Sequence, residues 1–506
     1  MSAHSWRRVR RAVQAVFLLL YLILFVWANA QRPHQIGADL FTRLDPLLMV
    51  TATMAGRVWV AGLWLAGLVL LLTLLFGRVW CGWLCPLGSL LEWFSPRRKT
   101  RGRRSAPPDG WRRAKYVVLF LLLAAALLGS QSLIWLDPIT ILHRTVATAF
   151  WPALRYAVVA MEQFLYQFPF LWGPLDGIHH RVVYPLFQGV QPTLGLGLVM
   201  ILLFTGLVFL ERWAERFWCR YLCPLGGLLG LISKLALLRR KVSEGCVECA
   251  RCAHRCPTDT IDANRHYQSD PAECIVCAEC LVGCRDEAVG FRWQLPRWRV
   301  AEWREYDPTR RTLLTAAGAS AVGVVLLAIE PGVTQGSATL IRPPGATLVD
   351  FSARCIRCGA CLRVCPTQGL QPSLWEGGVA NLWTPRLVPR LGPCSFSCNA
   401  CGQVCPTGAI PRLPLAEKRR AAMGLARVDR DRCLPWAYGV ACIVCEEVCP
   451  IADKAIRLEE LEVQTADGEF QRLQAPRVVK ERCIGCGLCE YHCPVGGEAA
   501  IRVFRS

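Results

Sequence analysis

The 28 cysteines of this 506-residue chain fall into ordered sets, with none left over. Two quartets follow each other closely: Cys246, Cys249, Cys252, Cys256 and Cys274, Cys277, Cys280, Cys284. Four more lie near the C-terminus. Two of these are regular: Cys355, Cys358, Cys361, Cys365 and Cys483, Cys486, Cys489, Cys493. Two are stretched at the front: Cys394, Cys398, Cys401, Cys405 and Cys433, Cys442, Cys445, Cys449. Proline follows the last cysteine of every set except Cys284, which precedes Arg285. Three closely spaced thiolates can wrap one corner of a [4Fe-4S] cube, and the fourth, before Pro, normally ligates the neighbouring cluster. On that rule Cys246, Cys249, Cys252 and Cys284 hold one cluster, and Cys274, Cys277, Cys280 and Cys256 another. The pairing among the last four sets stays open. Structural zinc seldom uses a third cysteine and a trailing Cys-Pro. A disulfide scaffold suits short secreted chains and would not repeat this spacing. There is no C-x-x-C-H for covalent haem. Six [4Fe-4S] clusters are expected.

The remaining four cysteines form two matching pairs, Cys81/Cys85 and Cys219/Cys223, each in a C-x3-C-P-L-G motif after an apolar run. If the segment is helical, each pair shares one face. Pro86 and Pro224 can then open a new short helix. One reading is small buried residues at packing contacts. The other is a joint site from both pairs: a metal, an extra cluster or a redox dithiol.

The elements that must position these thiols are apolar. Four runs, Ala12–Ala30, Val58–Gly77, Tyr116–Trp135 and Thr193–Leu210, match the roughly 17–25 residues that a bilayer span needs. A fifth, Leu313–Ile329, is shorter. Hydrophobic residues make up 53% of the chain, mean hydropathy is +0.30 and net charge is +20. The positive charge clusters beside the apolar runs. Residues 78–115 carry ten Lys or Arg against two acids. This distribution fits membrane orientation and argues against nucleic-acid binding. The positive-inside rule puts the N-terminus and both C-x3-C-P motifs in the cytoplasm. The loop 136–192, with its aromatic stretch Phe150–Trp172, then lies at the outer membrane surface. Leu44-Asp45-Pro46 and Leu136-Asp137-Pro138 precede the two C-x3-C-P halves, so the membrane part reads as a parallel repeat.

Asp45 and Asp137 fall near the outer side. They could handle the protons of a quinol, or simply cap helices that begin at Pro46 and Pro138. His143, His179 and His180 could take quinol protons, although a surface role is the simpler expectation. His254 and His492, inside cluster loops, are expected to tune or shield clusters. Thr309-Arg310-Arg311 before an Ala/Gly-rich run looks like a twin-arginine export signal. A fifth crossing would put everything after about Glu330 outside.

Residues from about Trp6 to Phe291, with two C-x3-C-P-L-G motifs and eight cluster cysteines, resemble the NapH type of membrane ferredoxin. Residues from Arg310 onward, with the arginine pair and four cysteine sets, resemble the NapG type. The resemblance implies a fused pair that oxidises menaquinol or ubiquinol. It would sit in the bacterial inner membrane as a multi-pass protein and feed a periplasmic reductase or cytochrome, as in nitrate-reductase systems. The fold expected is membrane α-helical with two small α+β ferredoxin-like regions. The segments are a four-helix domain (1–241), a cytoplasmic two-cluster domain (242–300), a linker with the fifth helix (301–345) and a periplasmic four-cluster domain (346–506). Two alternatives remain: an electron-donating maturation factor for a metalloenzyme, and a relay fed by cytoplasmic ferredoxin.

Overall fold

The computed structural model describes residues 3–28, 39–95, 109–187, 194–294, 318, 340–346, 350–374, 376–464 and 470–505. The arginine pair Arg310-Arg311 and, Gly318 apart, the fifth apolar run lie outside them.

Helices occupy all four long apolar runs: Ala3–Trp27, Leu63–Phe76, Ala114–Leu127 and Leu194–Leu210. Among the described residues one helix, His4–Trp27, is long and apolar enough to cross a membrane. Leu63–Phe76 and Ala114–Leu127 are shorter than their apolar runs because the chain turns within them. Residues 57–62 form turns before Leu63, and Gly62 lies so close to Met49 that a Cβ there would sit 2.7 Å from its Sδ. A 14-residue helix such as Leu63–Phe76 rises only about 21 Å.

The described residues form two compact units. One gathers 3–27, 39–146 and 196–294, so the repeated C-x3-C-P segments and the first pair of cysteine quartets share a unit. The strands Leu238–Val242 and Val289–Trp293 pair antiparallel and close this ferredoxin-like region. Short helices, Arg251–His254 and Glu279–Gly283, carry the third cysteines of its two loops.

The other unit gathers 147–187 with 340–505. It holds three antiparallel strand pairs: Leu370–Pro372 with Pro385–Leu387, Leu425–Val428 with Ile501–Phe504, and Ile456–Gln464 with Phe470–Val478. Its apolar core includes Phe351, Leu370, Ile410, Met423, Ile456 and Ile501, with cysteines of all four sets built into it. The aromatic segment belongs here. It forms the helix Trp151–Leu165, and Arg363 places its guanidinium 4.5 Å from the Trp151 ring centre.

Candidate site: six thiol cages, a four-thiol group and a buried carboxyl pair

In each ferredoxin loop the third cysteine is the second residue of a short helix. The turns demand left-handed backbone. Glu248, Ala250, Val276, Ala278 and Arg357 all have positive φ, as do Gly359, Gly485 and Gly487. The non-glycine residues among them are strained there.

The cages use the crossed fourth cysteine throughout. Cys246, Cys249, Cys252 and Cys284 line one cavity. Cys256 lies with Cys274, Cys277 and Cys280. In the second unit, Cys394, Cys398 and Cys401 share a cavity with Cys365, and Cys405 lies with Cys355, Cys358 and Cys361. Cys433, Cys442 and Cys445 surround a cavity with Cys493, and Cys483, Cys486 and Cys489 one with Cys449. The sequence left this second-unit pairing open, although the Cys-Pro rule applied to consecutive sets would have found it. A zinc ion would draw four sulfurs to about 2.3 Å of one point. Among the described residues no group of three His, Cys, Asp or Glu converges on a single ion. All 28 cysteines are free of disulfides.

The cages of the second unit form a row. The cage of Cys355 adjoins that of Cys394 through the Cys365/Cys405 exchange. The Cys394 amide donates to the Cys486 carbonyl at 2.8 Å, joining the second cage to that of Cys483. The Cys449/Cys493 exchange then leads to the cage of Cys433. The first cage in the row shares its loop with Arg363, the partner of Trp151. The last lies beside the exposed side chains of Tyr438, Val440 and Ile443.

Cys81 and Cys219 lie in single wide turns, Trp80–Leu84 and Trp218–Leu222, rather than on α-helical faces. The Cys85 amide reaches the Trp80 carbonyl at 2.9 Å, and the Cys223 amide that of Trp218 at 2.8 Å. Such π-turns often mark functional sites. Pro86 and Pro224 do start new helices, Pro86–Phe94 and Pro224–Ser233, each capped by the preceding cysteine. The first cluster region packs directly on these turns. Trp83 donates its indole N–H to the Val276 carbonyl at 3.0 Å, and Arg78 donates to that of Ala272 at 2.9 Å. A Cβ on Gly82 would lie 2.1 Å from the carbonyl oxygen of Ile275, between Cys274 and Cys277, so only glycine permits this approach. Glu273 bridges Lys115 and Arg78 in the same contact. Burial pushes its carboxyl up, but Lys115, Arg78 and Arg112 outweigh this and hold it below the usual carboxylate range.

Asp45 and Asp137, 92 positions apart, are brought together. Each caps its helix, Pro46–Gly56 or Pro138–Thr145. Asp45 Oδ1 accepts from the Leu47 and Leu48 amides at 2.8 and 3.2 Å. Asp137 Oδ2 accepts from those of Ile139 and Thr140 at 3.0 Å each. Both residues are fully buried. The second oxygen of each, Asp45 Oδ2 and Asp137 Oδ1, is buried without a hydrogen-bond partner, and the two carboxyl groups lie close enough to interact electrostatically. Two carboxylates in a dry site share a proton, because both cannot stay ionised.

The histidines divide. His143 is buried, against the expected surface role, with its ring edge-on to Phe25 and Tyr21. The signal was the apolar spacing of Ile139, Ile141 and Leu142 around it. His179 is partly exposed and pairs with Glu162 at 3.2 Å. His180, His254 and His492 are exposed.

Cysteine cages of this kind in ferredoxin-like loops define an iron–sulfur electron-transfer protein. A family profile described as "4Fe-4S binding domain" matches residues 58–104 and 193–243, the two C-x3-C-P halves. A "4Fe-4S dicluster domain" matches 440–497 and another "4Fe-4S binding domain" matches 349–371. The "Methylamine utilization ferredoxin-type protein MauM" of Methylorubrum extorquens is 44% identical over 206 residues, 39% of this chain and 89% of its own. That of Paracoccus denitrificans is 41% identical over 205 residues, 38% of this chain and 87% of its own. The "Ferredoxin-type protein NapG" of Escherichia coli is 39% identical over 197 residues, 38% of this chain and 82% of its own. The chain belongs to this MauM/NapG ferredoxin-type family. No solved structure matches it.

Proposed function

We propose that the chain is a membrane-bound quinol dehydrogenase that delivers electrons to a periplasmic reductase or cytochrome. Cys246 to Cys284 would hold two [4Fe-4S] clusters and Cys355 to Cys493 four. Bound clusters supply one-electron carriage, which breaks a two-electron oxidation into single steps. The observation that carries the quinol reading is the Asp45–Asp137 pair. A hydroquinone gives up protons as it gives up electrons, and a buried pair holding one proton has a free carboxylate to receive another.

The two sets of cages fall in different compact units. The inner cages share a unit with the basic segments, and the outer cages share one with the aromatic loop. The row of four cages runs from the Trp151 helix to the exposed Tyr438 end, where a soluble partner has access. Multi-pass insertion in the bacterial inner membrane and export through Arg310-Arg311 complete the proposal.

The test is anaerobic reduction of the clusters by a menaquinol analogue. Replacing both Asp45→Asn and Asp137→Asn is expected to slow it about 10²–10⁴-fold, the usual worth of general acid–base catalysis. Reduction by dithionite should be unaffected. Equal quinol rates in the variant and the parent would remove the carboxyl pair from the reaction.

A second reading has its own support. The MauM relatives reach 44% identity, above the 39% of the Escherichia coli NapG protein. On this reading the chain supplies electrons for maturing a metalloenzyme. Sustained turnover with quinol and a soluble acceptor is then absent, while a single round of electron delivery persists.

A further inference from the structure

We propose that Arg357, aided by Arg342, gives the cluster of Cys355, Cys358, Cys361 and Cys405 the highest potential in the row of four, so that electrons collect at the end beside Trp151. This deepens the relay proposed above and rests on it only for what delivers the electrons.

The four regular cysteine loops share one backbone feature. The residue just before the second cysteine is left-handed in each: Glu248, Val276, Arg357 and Gly485, with φ of 52°, 52°, 55° and 68°. Glycine suits such a position, and any other residue is strained there. In the Cys483 loop only glycine fits, since a Cβ on Gly485 would lie 2.5 Å from both the nitrogen and the carbonyl oxygen of Gly424. The Cys355 loop carries an arginine at this place, at a cost to its own turn. The Glu248 side chain is 65% exposed, where water and salt screen its charge. Arg357 is 2% exposed.

The Arg357 guanidinium is tied to the cage it belongs to. It donates to the Leu382 carbonyl at 2.8 Å, to that of Ala380 at 2.6 Å and to that of the ligand Cys355 at 3.5 Å. Arg342 is also buried and holds the same segment. It donates to Thr384 Oγ1 at 2.8 Å, to the Pro385 carbonyl at 3.1 Å and to Asn381 Oδ1. Its guanidinium lies 4.7 Å from the ring centre of Phe351, on the short helix that leads into Cys355. None of these acceptors carries charge. Positive charge is thereby fixed in a low-dielectric interior, where it acts strongly.

The other cages of the row are less cationic. Among the described residues of the second unit, the remaining buried charged side chains are Lys418, Glu162 and Glu490. Lys418 donates to the Ser395 carbonyl in the Cys394 loop. Glu490 follows Cys489 directly and accepts the Val503 amide at 2.7 Å. Glu162 lies on the Trp151 helix and pairs with His179. The charged residues around Cys433 and Cys445, from Asp429 to Arg432 with Glu446 and Glu447, are of both signs and reach solvent. Buried charge thus falls from a pair of arginines at the Cys355 cage, to one lysine at that of Cys394, to an acid at that of Cys483, to none at that of Cys433. Reduction adds a negative charge to a cage. A neighbouring cation favours that step, and net charge is one of the terms that set cluster potentials.

The experiment is an equilibrium redox titration of the full chain, purified anaerobically with its clusters, poised with dithionite and mediators and read by EPR. Each cluster takes one electron from the mediators. The first signal of the row to appear is expected to be that of the Cys355 cluster, identified by its loss in Cys405→Ser. Arg357→Gln and Arg357→Lys both keep a long polar side chain on the same left-handed turn and differ in charge. Arg357→Gln is expected to lower the reduced-to-oxidised ratio of that cluster about tenfold at a fixed potential, or 59 mV for a one-electron couple. Arg357→Lys is expected to keep it. An equal loss in both variants would assign the effect to the hydrogen bonds of the guanidinium, and no loss in either would detach Arg357 from the potential; each result overturns the proposal. So does a parent in which another cluster of the row is reduced first, and the parent order decides should the variants not fold. Mediators stand in for quinol throughout. The expected order without reduction by quinol would sink the proposed reaction and leave the gradient standing.

Discussion

A ferredoxin cage and the four-thiol group gather sulfur in opposite ways. In a cage, three thiols come from one short loop and the fourth from the loop beside it. In the four-thiol group, each half of a repeat gives two; the halves lie more than a hundred positions apart in the chain, and Arg216 joins them by donating to the Cys81 carbonyl at 2.7 Å. The cage is therefore specified locally, by left-handed turns at residues such as Ala278 and Gly487. The four-thiol group exists only if the tertiary packing is right, and buried ion pairs hold that packing. Local design tolerates change elsewhere in the molecule; the assembled group should not.

The sharpest way to break this comparison is at a crossed cysteine. Cys405→Ser is expected to remove the cluster of Cys355, Cys358 and Cys361 and to spare that of its own loop. Electron transfer along the row should stop, while iron falls by only one cluster's share. EPR of the reduced variant reads which signal is missing, and loss of the signal from the Cys394 loop instead would refute the crossed pairing.

The next effect is on the assembled side. Glu273→Gln leaves Lys115 and Arg78 without their carboxylate, and breaking a buried pair costs about 3–5 kcal/mol. Denaturant unfolding of the first unit's clusters, followed by absorbance, should show the loss at neutral pH. The carboxyl of Glu273 is held below its ordinary value of 4.5. Its stabilisation is therefore complete above about 4.5 and fades as pH falls through the lowered value. Parent and variant should converge in acid, and a constant gap would mean that Glu273 acts through packing alone.

The smallest effect is at Gly82. Gly82→Ala forces the turn away from Ile275 at an overpacking cost of about 1–3 kcal/mol. The cages should keep their iron while the thermal midpoint drops and thiol labelling at Cys81 speeds up. A variant that labels no faster than the parent would show that this contact does not seal the group.

Much of the cage chemistry was legible in the sequence because its ligands are neighbours in the chain. The six quartets and the crossing in the first pair needed only spacing. What lay beyond reading was set by distance along the chain. Nothing local says that Asp45 meets Asp137, or that Arg216 reaches Cys81. His143 was misjudged because it sits in a nominal loop, whereas the helix Pro138–Thr145 buries every residue it contains. The apolar runs overstated the helices because hydropathy does not register a turn such as 57–62.

The exchange of fourth cysteines also bears on how the protein ages in air. Each loop is closed partly by its neighbour's ligand, so oxidative loss of one cube frees a strand of the other loop as well. Damage should then spread by pairs, and repair must rebuild both members together. The working lifetime of the row is that of its most oxygen-exposed pair, whatever the durability of the rest.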